Sequence, residues 1–108
     1  MVFNTGAALL DAIVLAVVSK EENGTYGYKI TQDVRAVLDV SESTLYPILR
    51  RLEAAGFISV RSSEHNGRLR KYYHINQAGK ERLCAFSEEW REISAIYQFV
   101  TREESENE

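Results

Sequence analysis

A mainly α-helical fold with a small β hairpin is what this sequence predicts, and three observations carry the prediction. Apolar residues recur at helical spacing over most of the chain. One segment alternates as strands do and is split by Asn66-Gly67, the strongest short hairpin signal. A last helical stretch keeps its apolar residues at intervals of three and four, the seam of a helix that packs along another helix. The 108 residues suit one small domain, whose limited core leaves a role for an oligomeric interface.

The first helix is capped by Asn4 or Thr5 and carries Leu9, Leu10, Ile13, Val14, Val17 and Val18. That surface is wider than one face against a small core requires, so this helix is expected to meet a partner chain as well. Asp11 interrupts the apolar run, either as an exposed helix residue or as a carboxylate lining a ligand cavity. Ser19 to Thr25 reads as a polar turn, with Thr25 as the cap of the second helix. Ile30, Val34, Val37 and Leu38 then form a helical stripe, and Tyr28 and Lys29 stand near the helix start, where a phosphate can be met.

The third helix carries Leu45, Ile48, Leu49 and Leu52 on one side and Ser43, Tyr46, Pro47, Arg50 and Arg51 on the other. Ser41 and Ser43 compete as its N-cap. With Ser43, Pro47 falls near the first turn. With Ser41, it lies inside and removes a hydrogen bond. The helix ends at Gly56, the expected residue just past a C-cap. Residues 57–63 and 70–75 are the two strands of the hairpin.

Asn76 caps the fourth helix, whose seam is Leu83, Phe86, Trp90, Ile93, Tyr97 and Val100. Gly79 extends the stripe and permits a close approach. Indole is bulky for such a seam, so Trp90 either anchors the interface or leaves an apolar gap walled by Phe86 and Ile93. The acidic segment 101–108 reads as a disordered tail.

The net charge of −3 conceals an uneven distribution. Residues 41–75 hold six basic side chains against three acidic ones, a balance of +3, while residues 1–40, 76–100 and 101–108 carry −2, −1 and −3. A two-helix unit with a basic outer face, followed by a basic hairpin tip of His65, Asn66, Arg68 and Arg70, is the pattern of a winged helix-turn-helix that lies on DNA. No catalytic pair, metal-ligand cluster or phosphate-cradling loop stands out, so neither an enzyme nor a cofactor or metal is expected. Cys84 is alone and reads as a small buried hydrophobe. No signal peptide or membrane span is apparent, which points to the cytoplasm.

Several blocks resemble the PadR-like family of bacterial transcriptional regulators. They are Tyr26-Gly27-Tyr28, the run Ser43-Thr44-Leu45-Tyr46-Pro47-Ile48-Leu49-Arg50-Arg51-Leu52-Glu53, Gly56-Phe57-Ile58, Gly67-Arg68-Leu69-Arg70-Lys71-Tyr72-Tyr73, and Ala78-Gly79. Leu69 departs from the family's frequent proline, and Asn76 from its threonine. The resemblance implies a dimeric repressor on a near-palindromic operator, in the compact subgroup with a single C-terminal dimerisation helix. Some compact members bind planar aromatic drugs between paired tryptophans, and Trp90 falls at the matching place.

The expectations are these. Residues 1–75 form the winged helix-turn-helix, residues 76–100 the dimerisation helix and residues 101–108 the tail. Double-stranded DNA meets Tyr28, Lys29, Ser43, Thr44, Tyr46, Pro47, Arg50, Arg51, His65, Asn66, Arg68, Arg70 and Lys71. A second copy meets Leu10, Val14, Leu83, Phe86, Trp90, Ile93, Tyr97 and Val100. A planar hydrophobic ligand would meet Trp90, Asp11, Phe86, Ile93 and Ser94. The competing function is a winged-helix ligand sensor or protein-interaction module that binds no DNA.

Overall fold

The computed structural model describes the backbone of residues 5–102 and the side chains of residues 8–102. Asn4 as a cap, and the tail beyond Arg102, lie outside the described residues. Four helices and a three-stranded sheet follow in the order α1 (Thr5–Ser19), β1 (Thr25–Tyr26), α2 (Gly27–Arg35), α3 (Glu42–Ala54), β2 (Ile58–His65), β3 (Arg68–Ile75) and α4 (Gln77–Thr101).

The core sits where α1, α2 and α3 meet the inner face of the sheet. Val14, Leu15 and Val18 pack there with Ile30, Val34, Leu45, Leu49, Leu52, Ile58 and Tyr73. The α3 stripe is buried as its spacing requires. On α2 only the first half of the expected stripe holds. The helix ends at Arg35, so Val37 and Leu38 fall in the following turn and are exposed.

Thr25 does not cap α2. Thr25 and Tyr26 form a strand that joins β3 in antiparallel register, Thr25 opposite Tyr73 and Tyr26 opposite Tyr72. The extended backbone of Tyr26 leads straight into α2, with no side-chain cap. The sheet order is therefore β1-β3-β2.

Ser41 wins the competition to cap α3, its Oγ accepting from the Thr44 N–H at 3.3 Å. Pro47 consequently lies inside the helix and cannot donate to the Ser43 carbonyl one turn earlier. At the other end, Gly56 takes φ +85°, its N–H donates to the Glu53 carbonyl, and Phe57 N–H donates to the Leu52 carbonyl. This paired closure aims the chain into β2. Asn66 and Gly67 both have positive φ, the two-residue turn that suits the twist of a hairpin.

Asn76 caps α4, accepting from the Gly79 N–H at 3.0 Å. Gly79 does permit a close approach, but to the chain's own Phe57 carbonyl and Ile75 side chain at the base of the hairpin. Beyond this anchor α4 meets α1, and its distal surface is open. Cys84, in the proximal part of α4, is exposed rather than buried, because no other described element covers that side of the helix. No helix among the described residues is long and apolar enough to cross a membrane.

Candidate nucleic-acid interface

The exposed ridge of α3 carries Ser43, Pro47 and Arg50. These residues follow from the burial of Leu45, Leu49 and Leu52, which fixes the helix rotation. The two flanks of the ridge differ. Thr44 and Arg51 lie on the α1 side, where an Arg51 guanidinium nitrogen contacts the Asp11 carboxylate. Tyr46 lies on the opposite flank, half-buried against the core, with its hydroxyl at the start of α2 beside Gly27.

Tyr46 forms one wall of a cleft of about 440 Å³ between α3, the start of α2 and the hairpin. The other lining residues are Tyr26, Gly27, Tyr28, Arg70, Lys71 and Tyr73. Arg70 is stacked over the Tyr26 ring at 4.1 Å, and Tyr26 meets Tyr72 edge-on at 6.0 Å. Such a cation–ring contact contributes about 0.5–1 kcal/mol at exposed sites and holds the guanidinium in place. Two cations and several phenol hydroxyls around an open cleft suit a phosphodiester oxygen. Tyr73 lines the cleft as a phenol, and burial pushes its pKa above the usual tyrosine range.

The remaining expected contacts are distributed around this centre. Tyr28 is exposed, its hydroxyl accepting from Gln32 at 3.1 Å. Lys29 is turned to Asp33 at 2.9 Å and Glu21 at 3.3 Å. Hydrogen bonds to Asp33 and then Glu21 hold its ammonium above the usual lysine range. An ammonium so neutralised is a weaker lure for phosphate than Arg50 or Lys71, which have no ion pair among the described residues. His65, Asn66 and Arg68 sit at the exposed hairpin tip. Leu69, absent from the expected set, is the most exposed large apolar residue among those described, at 79%.

On β3, His74 Nε2 donates to the Asn23 carbonyl at 3.2 Å, while its buried Nδ1 has no partner among the described residues. Sequence reasoning missed the Arg70–Tyr26–Tyr72 arrangement because it depends on β1, and it missed the Asp11–Arg51 contact because it joins distant segments.

The residues expected at a dimer or ligand site do not form one surface. Val14 is fully buried inside its own chain, so it backs α1 rather than presenting surface. Leu10 and Leu83 are half-buried against the same core. Phe86, Ile93 and Ser94 are half-buried, whereas Tyr97 and Val100 are exposed on the distal part of α4. Trp90 is 46% exposed and stacks on Phe86, one turn away, with ring centroids 6.2 Å apart. Asp11 is engaged by Arg51 and is not part of this α4 surface.

Comparison with known proteins agrees with this geometry. Residues 14–85 match the model of the Transcriptional regulator PadR-like family. The chain is 34% identical over 80 residues to the transcriptional regulator Rv3488 of Mycobacterium tuberculosis, covering 73% of this chain and 72% of that one. The crystal structure of smu.1704 from Streptococcus mutans UA159 superposes with a TM-score of 0.76 at 40% identity, over 93% of each chain. Bacillus subtilis PadR, solved in complex with operator DNA, superposes with a TM-score of 0.65 at 25% identity, over 72% of this chain and 46% of that one.

Proposed function

Since the chain belongs to the PadR-like family of transcriptional regulators, we propose that it is a sequence-specific DNA-binding repressor that acts as a homodimer on a near-palindromic operator. The family is one of regulators rather than enzymes. The observation that carries the reading is the continuity of the α3 ridge with the cleft of Tyr46, Arg70 and Lys71. Together they offer a groove-sized helix and, beside it, a place for the DNA backbone.

In this reading α3 enters the major groove. Arg50, Ser43 and Thr44 face base edges, and an arginine–guanine pair supplies about 1–3 kcal/mol of discrimination. Tyr46 meets the DNA from the cleft wall, and Pro47 packs against the groove. Tyr28, Arg70 and Lys71 take backbone phosphates, and the tip residues His65, Asn66 and Arg68 follow the flanking groove. Lys29 and Arg51 join only by exchanging a carboxylate for a phosphate. Such contacts make affinity fall steeply with salt.

The exposed distal surface of α4, with Ile96, Tyr97, Phe99 and Val100 open, supports the homodimer. Paired copies would set the two recognition helices about 34 Å apart, one turn of DNA. Two Trp90–Phe86 stacks brought together at that interface would form the walls of a site for a planar aromatic or cationic hydrophobic ligand, completed by Ile93 and Ser94. Asp11 would have to give up Arg51 to meet such a ligand. A ligand that binds the DNA-competent spacing less well would release the operator. A regulator of this kind works where the genomic DNA is, in the cytoplasm.

The test is a promoter-fragment titration across salt concentrations. Arg50→Ala combined with Arg51→Ala should abolish specific binding while sedimentation still gives a dimer. Unchanged affinity, or a wild-type chain that ignores the fragment at every salt concentration, would leave a sensor or protein-interaction module. For the ligand site, a planar dye should quench Trp90 fluorescence in the micromolar range. Saturating dye without any change in emission would leave Trp90 as an interface anchor.

A further inference from the structure

Arg51 stands on the DNA-facing helix, yet its guanidinium is turned back to Asp11 on α1. The two side chains are unequally placed. Asp11 is 23% exposed and Arg51 52% exposed, so the carboxylate is the more deeply set and the guanidinium keeps an open side toward solvent. Asp11 sits on the flank of α1 next to the buried Ala12, Val14 and Leu15, which hold its backbone in place. Arg51 is carried on a longer, rotatable stem. Of the two, the arginine is the partner able to leave.

We propose that Asp11 is a positioning residue for DNA binding: an intramolecular counter-ion that competes with DNA phosphate for Arg51 and so limits the affinity of the recognition helix. This rests on the DNA-binding reading above. A guanidinium already matched by a carboxylate gains little on meeting a phosphate, because one anion replaces another. Without the carboxylate's charge, the same contact releases a condensed counterion from DNA and adds to the salt dependence. The carboxylate also repels phosphates that approach this flank of α3. Because Asp11 is on α1, which packs along α4 as well as α3, the counter-ion belongs to the element expected to sense the partner chain.

Asp11→Asn keeps the shape and an acceptor oxygen but removes the charge. In a titration of full-length protein with its promoter fragment, this variant should bind roughly five- to tenfold more tightly per half-site at low salt. The slope of log affinity against log salt should steepen by about one per protomer. Asp11→Glu should restore the wild-type slope. Arg51→Gln should cost little in the wild-type background but cancel the gain in the Asp11→Asn background, a non-additivity that a purely architectural pair would not show in the salt slope.

If Asp11→Asn is too unstable to titrate, Arg51→Gln alone decides. A loss of about tenfold or more per half-site means Arg51 already contacts phosphate unhindered, and the proposal fails. An Asp11→Asn protein with wild-type or weaker affinity, at an unchanged slope, also overturns it. A wild-type chain that binds no DNA at any salt concentration refutes the DNA reading itself, and this proposal with it.

Discussion

Replacing Gly79 by alanine puts two effects of opposite sign in competition. In the interior of a helix, glycine to alanine stabilises by about 1 kcal/mol, and by less in the first turn, where Gly79 lies. Against this, a Cβ at position 79 would strike the Phe57 carbonyl oxygen and come within 2.7 Å of Ile75 Cγ1. The obstacle is backbone, so no rotamer change relieves it. The same carbonyl accepts from the Asn76 N–H at 3.2 Å. Moving it aside therefore strains a hydrogen bond that contributes about 1 kcal/mol. Overpacking of this kind costs about 1–3 kcal/mol. The sum favours a net loss of about 2 kcal/mol, which for a domain near 100 residues lowers Tm by roughly 10 °C. Thermal melts followed by circular dichroism at one fixed protomer concentration measure this. A rise in Tm would refute the argument, since it would mean that α4 does not need its close seat on the hairpin base.

Gly27→Ala should behave differently. Its Cβ would meet the Tyr46 hydroxyl and the ring carbons next to it, the outer end of a side chain rather than backbone, so the loss of stability should be smaller than for Gly79→Ala, about 1 kcal/mol, while DNA affinity falls several-fold in the same promoter titration. Ser41→Ala removes the α3 cap and should cost about 1 kcal/mol in urea unfolding, whereas Ser43→Ala should cost clearly less. The folded-state pKa of Tyr73 is raised, so its contribution to stability is whole below the ordinary tyrosine value near about 10 and is lost as pH climbs through the higher folded value. Unfolding free energy measured from pH 9 to 11.5 should fall less steeply in Tyr73→Phe than in wild type, and parallel curves would show that this phenol is not the responsible group.

How far the sequence could be read depended on the distance between interacting parts. The α3 stripe, the Gly56 closure, the Asn66-Gly67 turn and the Asn76 cap are local, and each has a chemical signature within a few residues. The choice between Ser41 and Ser43 has no local answer, because both caps are chemically competent and only the seating of Leu45 and Leu49 decides the helix start. β1 was missed because two residues show no alternation. Its existence depends on Tyr72 and Tyr73, far along the chain, which Thr25 and Tyr26 cannot reveal. The cleft was half legible: its basic residues stood out, but the stacking of Arg70 on Tyr26 required the unseen strand. The Asp11–Arg51 contact had no local signal either, since a single carboxylate in an apolar helix fits several roles. Val37 and Leu38 misled through their spacing, because periodicity says nothing about where a helix is cut short. Cys84 misled through the average behaviour of its residue type.

The seat of α4 also has a mechanical consequence. Its first turn is clamped between Asn76, Phe57 and Ile75, the following turns pack on α1, and the distal part of the 25-residue rod reaches outward. Such a rod is about 37 Å long, so a tilt of roughly 10° at the clamp swings its far end by roughly 6 Å. In a symmetric pair joined through these rods, the swing runs the other way: a slight change in how the rods cross would be delivered at the hairpin and α3 as a displacement of several ångströms. In such a pair the geared element would be a glycine and a carbonyl at the hairpin base, far from any base pair.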